Sequence, residues 1–175
     1  MGTLPVKFSY GTCNTVNKEI LLCFPEVHKN SCYKYNGKLL QAGISSNFDH
    51  FGTSLGIFNG NAVAIGSELP ANKVVETMSD NKWIRQDDFP FVSEYISVYS
   101  AVNFNENLYI FGKAWPNSSL FFTYSIGGSD GQDTDLAAMF DGKWHQIGKL
   151  LQPRRGHRSI VFENSIIHIG GYGQR

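Results

Sequence analysis

Charge is what this sequence has least of. Asp, Glu, Lys and Arg make up 17% of it, and 15 basic residues cancel 15 acidic ones to a formal net charge of zero. That balance removes the electrostatic argument for nucleic acid or an anionic membrane surface as partners, since both call for a basic excess. Long apolar runs are also missing. No stretch approaches the ~20 residues that span a bilayer, so no membrane insertion is expected. The opening MGTLPVKFSYGT has no apolar signal core, and Val6 occupies the place where a myristoylation motif carries Ser or Thr. Helical periodicity is scarce as well: KVVETM (73–78) and DLAAMF (135–140) are the weak candidates, and both fall where strands are expected. What the chain does have is 14% aromatic residues and 18 glycines, a composition of short strands and tight turns. Its 175 residues suit a single domain with a sizeable core.

The signatures of chemistry are thin. His28, His50, His145, His157 and His168 show no metal-ligand spacing, and no Cys–His cluster accompanies them. GGSDGQDTD (127–135) places three aspartates among glycines, yet lacks the ligand order and distal Glu of a calcium loop. No nucleophile elbow, phosphate loop or dinucleotide fingerprint occurs. No cofactor, no metal and no catalytic residues are therefore expected.

The positive signal is a repeat. VNKEILLCF (16–24), FNGNAVAIG (58–66), FNENLYIFG (104–112) and FENSIIHIG (162–170) each run from a bulky apolar residue through a polar turn into an apolar stretch. That is a β-hairpin signature. Matching strands lie upstream in SYGTCNT, FGTSLGI, SVYSAVN and GHRSIV. A second hairpin follows the first three copies, in YKYNGKLL (33–40), ETMSDNKWIRQ (76–86) and AAMFDGKWHQI (137–147), with Trp83 and Trp144 directly after the turns and Leu39 in the same place in the first copy. The last interval is the longest because KAWPNSSLFFTYSIGGSDGQDTD (113–135) contains an extra loop or hairpin. Four-stranded units of roughly 40 to 50 residues have the period of propeller blades.

Gly170-Gly171, Gly127-Gly128 with Trp144, and Pro153-Arg154-Arg155-Gly156-His157 resemble the kelch repeat. Phe24, Gly66-Ser67 and Gly112-Lys113 stand where that pattern has a glycine pair. The resemblance implies an all-β, kelch-type β-propeller of about three and a half four-stranded blades. The units span about 8–41, 52–87 and 98–149, with an incomplete one over 156–175, all within a single partial domain, 1–175. Glycine after the second strand serves a positive φ or a close backbone approach. Trp83 and Trp144 would fill the wedge between fanned-out sheets, and the Arg and His of PRRGH would tie loops between blades. Neither chain end supplies strands the other lacks, so the expectation is a fragment of a longer propeller or a half-ring that closes by self-association.

Cys23 and Cys32 end one apolar run and begin the next. They are either a cross-strand disulfide or two reduced, half-buried thiols, with Cys13 left over as a small core residue. Asn117 heads an Asn-Ser-Ser glycosylation triplet. Together with Cys23 and Cys32 it favours an extracellular over a cytoplasmic setting. Arg154, Arg155 and Arg158 form the candidate partner surface, able to bond carboxylates or phosphates in bidentate fashion; against that, Arg154 matches the structural motif and the other two are ordinary solvated residues. The functional expectation is a non-catalytic scaffold that binds a protein through its inter-strand loops. The alternative is an enzyme of the galactose-oxidase-like propeller class with its site in blades outside this chain.

Overall fold

The structure, a computed structural model, describes residues 7–38, 40–67, 72–91, 96–114, 136–151 and 156–172. Among these residues there are fourteen strands and no helix. The first antiparallel sheet contains β1 (Thr12–Val16), β2 (Glu19–Cys23), β3 (Cys32–Tyr35) and β4 (Leu40–Ala42) in chain order. The second contains β5 (Leu55–Phe58), β6 (Asn61–Ser67), β7 (Asn72–Ser79) and β8 (Lys82–Arg85). The third contains β9 (Ile96–Phe104), β10 (Asn107–Ala114), β11 (Leu136–Phe140) and β12 (Trp144–Lys149). A single pair, Gly66 with Ser97, joins the second sheet to the third. The last unit is the hairpin of β13 (Arg158–Phe162) and β14 (Ser165–Ile169). This is a β-propeller-like array of four-stranded meanders. The first strand begins at Thr12 rather than near Phe8, because Tyr10 takes a φ of 57° that no extended strand admits.

The polar pairs between hairpin strands explain the turns. Asn17-Lys18, Asn59-Gly60, Asp80-Asn81 and Asn105-Glu106 all have positive φ at both residues. That is the backbone of the tight hairpin turn whose twist matches the flanking strands. Asn and Gly adopt it at low cost, which is why these dipeptides recur.

Strand alternation then divides each sheet into two faces. Leu21 and Cys23 point forward, toward the next sheet, where Leu55, Ala62 and Ala64 point back at them within one buried cluster. Val63 and Ile65 likewise point forward onto Val98, Leu108 and Ile110. Each such aliphatic side chain contributes roughly 1.5–3 kcal/mol when removed from water. The spacing is tight enough that a Cβ on Gly56 would stand 2.7 Å from Leu108 Cδ1.

Phe24 shows what happens where the repeat lacks its glycine. Gly66 and Gly170 have φ of 67° and 71°, and Phe24, at the same place in the first unit, has 61°. The left-handed backbone costs a non-glycine residue about 1–2 kcal/mol. The Phe24 ring is fully buried, 5.1 Å from the His50 ring and 5.9 Å from that of Trp83, so burial outweighs the strain. Gly112 uses its glycine differently. It has no positive φ among the described residues and sits instead at the irregularity where β10 shifts register against β9.

Candidate binding surface

Inner strands β1, β5, β9 and β13 lie side by side, and hydroxyl groups bridge them. The Leu55 N–H donates to Thr12 Oγ1 at 3.0 Å, and the Ser159 N–H donates to Ser100 Oγ at 2.8 Å. Thr12 and Ser100 hold the same position in their units, so the repeat carries a recurrent tie that the hydrophobic pattern does not reveal. Between them the Ser54 N–H donates to the Val98 carbonyl at 2.6 Å.

One end of the array gathers the connections that leave second and fourth strands. Residues 24–31 join β2 to β3, and residues 43–54 carry the chain from β4 into the second sheet. These two segments are interlocked. The Ser46 N–H donates to the Asn30 carbonyl at 2.8 Å, and the His50 N–H to the Lys29 carbonyl at 2.9 Å. The Glu26 N–H reaches the Ser9 carbonyl at 3.0 Å, and Ser9 Oγ donates to the Glu26 carboxylate at 2.8 Å. Upon this frame Tyr10, Val27 and Ile44 are exposed. Lys29 lies over the Phe51 ring and Arg85 over that of Phe48, at 5.7 and 5.1 Å.

Beneath the surface lies a buried polar hub. Glu76 on β7 accepts from the Asn47 N–H (3.1 Å), Asn47 Nδ2 (2.6 Å), the Phe48 N–H (3.0 Å) and His50 Nε2 (2.9 Å). The other His50 ring nitrogen, Nδ1, lies 2.8 Å from the Gly66 carbonyl. Both ring nitrogens thus face oxygen atoms, which fixes the orientation of the imidazole. Glu76 and His50 are fully buried. Burial pushes the Glu76 carboxyl up, but donation from His50 and Asn47 outweighs it, and the group is held below its ordinary value. Trp83 completes the hub: its Nε1 donates to the Ile44 carbonyl at 2.8 Å while its own carbonyl accepts from Asn47 Nδ2 at 3.0 Å.

The residues singled out in the sequence fall as follows. Trp83 and Trp144 lie at the starts of fourth strands, as the second residue of β8 and the first of β12; Trp83 is buried between the first and second sheets, and Trp144 packs 4.9 Å from Phe89 and 4.7 Å from Phe140. Gly156 and Gly171 have positive φ, like Gly66 and Gly170. His157 is buried, its ring 6.4 Å from Phe111 and 5.4 Å from His168, and His168 shares a 2.8 Å hydrogen bond with Ser159 Oγ. Arg158 is exposed, sits opposite Ile169, and donates to the His157 carbonyl at 3.1 Å. Arg154, Arg155, Asn117, Gly127, Gly128 and Leu39 lie outside the described residues. Cys13, expected in the core, is exposed. It occupies the position of Leu55, but on the backward face of the first sheet, which no described sheet precedes. The Glu76 hub escaped the sequence reading, although Glu76 shares the buried face of β7 with Val74 and Met78; a carboxylate at such a place was the available signal.

Cys23 and Cys32 are paired across β2 and β3 with Cα atoms 4.1 Å apart and are joined as a disulfide. Closing a loop of this length is worth about 2–3 kcal/mol. The unreduced, unfolded chain is expected to titrate one thiol rather than three, and dithiothreitol is expected to lower the urea midpoint. Three thiols and an unmoved midpoint would contradict the pairing.

The opposite end of the array holds a cleft of about 260 Å³ lined by Asn17, Glu19, Lys34, Asp80 and Asn81, with Val16, Leu21 and Met78 in its wall. Lys34 donates to Asn81 across it. Among the described residues no group of three or more His, Cys, Asp or Glu side chains is placed to hold a metal ion.

No protein-family model matches the chain, and no curated protein does. A solved structure described as "Structure of YjhT" is similar over 95% of this chain and 78% of its own, with a TM-score of 0.55 and 13% identity. At that identity the likeness concerns the fold alone, and the fold is that of a β-propeller.

Proposed function

We propose that the protein is a non-catalytic, kelch-type β-propeller scaffold that captures a protein partner on the end of the array carrying residues 24–31 and 43–54. The observation that supports it is the interlocking of those two segments over the Glu76 hub. Loops already ordered by Asn30, Ser46, His50 and Asn47 lose little freedom when a partner docks, which is the main entropic penalty of loop-mediated binding. Exposed Tyr10 and Val27 supply apolar anchors of the kind that dominate interfaces. Arg154 and Arg155, on the connection into β13, together with Arg158 add guanidinium groups for a partner's carboxylates or phosphates. The kelch assignment is supported by Pro153-Arg154-Arg155-Gly156-His157 and Gly170-Gly171, and the Cys23–Cys32 pair supports an extracellular setting.

The test is affinity capture from the native extracellular milieu with wild type and Val27→Asp in parallel, read by mass spectrometry. A protein retained by wild type and depleted at least ten-fold with Val27→Asp, at unchanged melting temperature, is the expected result. Identical captures would contradict the reading.

A further inference from the structure

The cleft at the end away from the interlocked loops opens between the forward face of the first sheet and the backward face of the second. Val16, Glu19, Leu21 and Lys34 share that forward face. Val16 pairs with Glu19 and Leu21 with Lys34 across the strands, and Glu19 stands two residues from Leu21. Met78 lines the cleft from β7, and Asp80 and Asn81 line it from the turn that follows. Val16, Leu21 and Met78 are buried and give the cleft an apolar wall, while Glu19, Lys34 and Asn61 are half-buried. Glu19 and Lys34 are diagonal neighbours on adjacent strands, within reach of one another for long side chains of opposite charge. They do not pair. Lys34 donates across the cleft to Asn81 instead, and among the described residues the Glu19 carboxylate has neither a hydrogen bond nor an ion pair. A carboxylate drawn partly out of water without a partner loses hydration that nothing in the fold returns.

We infer that this cleft binds a free α-amino acid with an apolar side chain. The ligand's ammonium pairs with Glu19, and its carboxylate takes the N–H groups that Lys34 does not spend on Asn81, since an ammonium carries three donors. The apolar side chain lies on Val16, Leu21 and Met78, and the Asn17 and Asn61 amides meet the remaining lone pairs and protons. Charge selects the ligand class. A simple anion meets Glu19 and Asp80, a simple cation meets Lys34, and a neutral polyol brings no counter-charge to either. A zwitterion answers both signs at once. The volume of about 260 Å³ lies below the roughly 300–1,000 Å³ of sites for drug-sized ligands, which sets the size at one amino acid. A peptide also separates its two charged ends, whereas the cleft holds both signs at diagonal positions. Glu19 and Asp80 against Lys34 leave one negative charge in excess, so the ammonium end is the stronger anchor.

Titration of the isotope-labelled full chain with L-leucine, followed through its amide NMR shifts, tests this. Saturable shifts are expected at Val16, Glu19, Leu21, Lys34, Met78 and Asn81. Two analogues each lack one charge of leucine: 3-methylbutylamine and 4-methylpentanoate. Both are expected to bind at least ten-fold more weakly, the carboxylate-only compound the more weakly of the two. Glu19→Gln is expected to lower leucine affinity at least ten-fold and to bring leucine and 4-methylpentanoate to similar affinities. Its melting temperature should match wild type, because the Glu19 carboxylate holds nothing else in the fold. Lys34→Met should instead bring leucine and 3-methylbutylamine together, with circular dichroism checking that the lost Asn81 contact leaves the sheets intact. The absence of saturable shifts up to about 20 mM leucine, shifts centred elsewhere, or full affinity in Glu19→Gln would overturn the proposal.

Discussion

Replacing Glu76 with alanine is expected to destabilise the fold by about 3–5 kcal/mol, because it removes a buried carboxylate that accepts several hydrogen bonds and leaves the buried His50 Nε2 without its partner. Four donors lose their acceptor at once: the Asn47 and Phe48 N–H groups, Asn47 Nδ2 and His50 Nε2. His50 Nε2 is sealed from water, whereas Asn47 is exposed and its Nδ2 keeps the Trp83 carbonyl, so the largest part of the loss falls on the buried His50–Glu76 contact. For a chain of this length the melting temperature should fall by roughly 10 °C. Glu76→Gln keeps the volume and one carbonyl acceptor and is expected to cost less. The pH dependence has a definite sign. The Glu76 carboxyl is held below its ordinary value of 4.5, so its contribution is fully present above that pH. It is lost as pH falls through the lower value of the folded state. Thermal melts between pH 7 and pH 3 should therefore show an acid limb in wild type that flattens in Glu76→Gln. An alanine variant within 1 °C of wild type would remove the hub from the account.

Trp83→Ala is the second large effect, expected to cost about 3–5 kcal/mol in urea unfolding. The indole fills the wedge between the first two sheets against Phe24 and Met78, and its Nε1 fixes the Ile44 carbonyl. Trp83→Phe restores most of the packing but not that bond, so its cost should be about 1–2 kcal/mol. Because Asn47 Nδ2 donates to both Glu76 and the Trp83 carbonyl, the two sites share one loop. The Glu76→Ala, Trp83→Ala double variant should lose less than the sum of the singles. Strict additivity would mean that Trp83 and Glu76 hold the blades independently.

The hairpins were legible in the sequence because each carries its own local instruction. Asn59-Gly60 and Asn105-Glu106 set the turns, and the period-2 runs behind them set the faces. Trp83 and Trp144 were legible for the same reason, as bulky residues at a fixed distance past a turn. Phe24 was legible only as a missing glycine; that its backbone keeps the left-handed conformation anyway follows from burial contributed by residues far along the chain. The hub was not legible. Glu76 and His50 are 26 residues apart, each ordinary in its local context, and their meeting depends on how the connection 43–54 crosses the second sheet. Thr12 and Ser100 were missed likewise, since a hydroxyl on an inner strand is neutral until the next inner strand arrives beside it. Cys13 was read as core because its repeat position is a core position, and it is exposed because it lies on the backward face of the first sheet, against which no described sheet packs.

The central claim is that the connection 43–54 and the hub beneath it bind the first two sheets into one rigid body. Native-state hydrogen exchange, residue by residue, tests it most directly. The account predicts that the Asn47, Phe48, His50 and Leu55 amides open only with the strands on either side, at the same free energy as β2 and β6, and that Glu76→Ala drops all of them together. Exchange of those four amides at loop-like rates, with β2 and β6 still protected, would show that the sheets are held by their apolar faces alone.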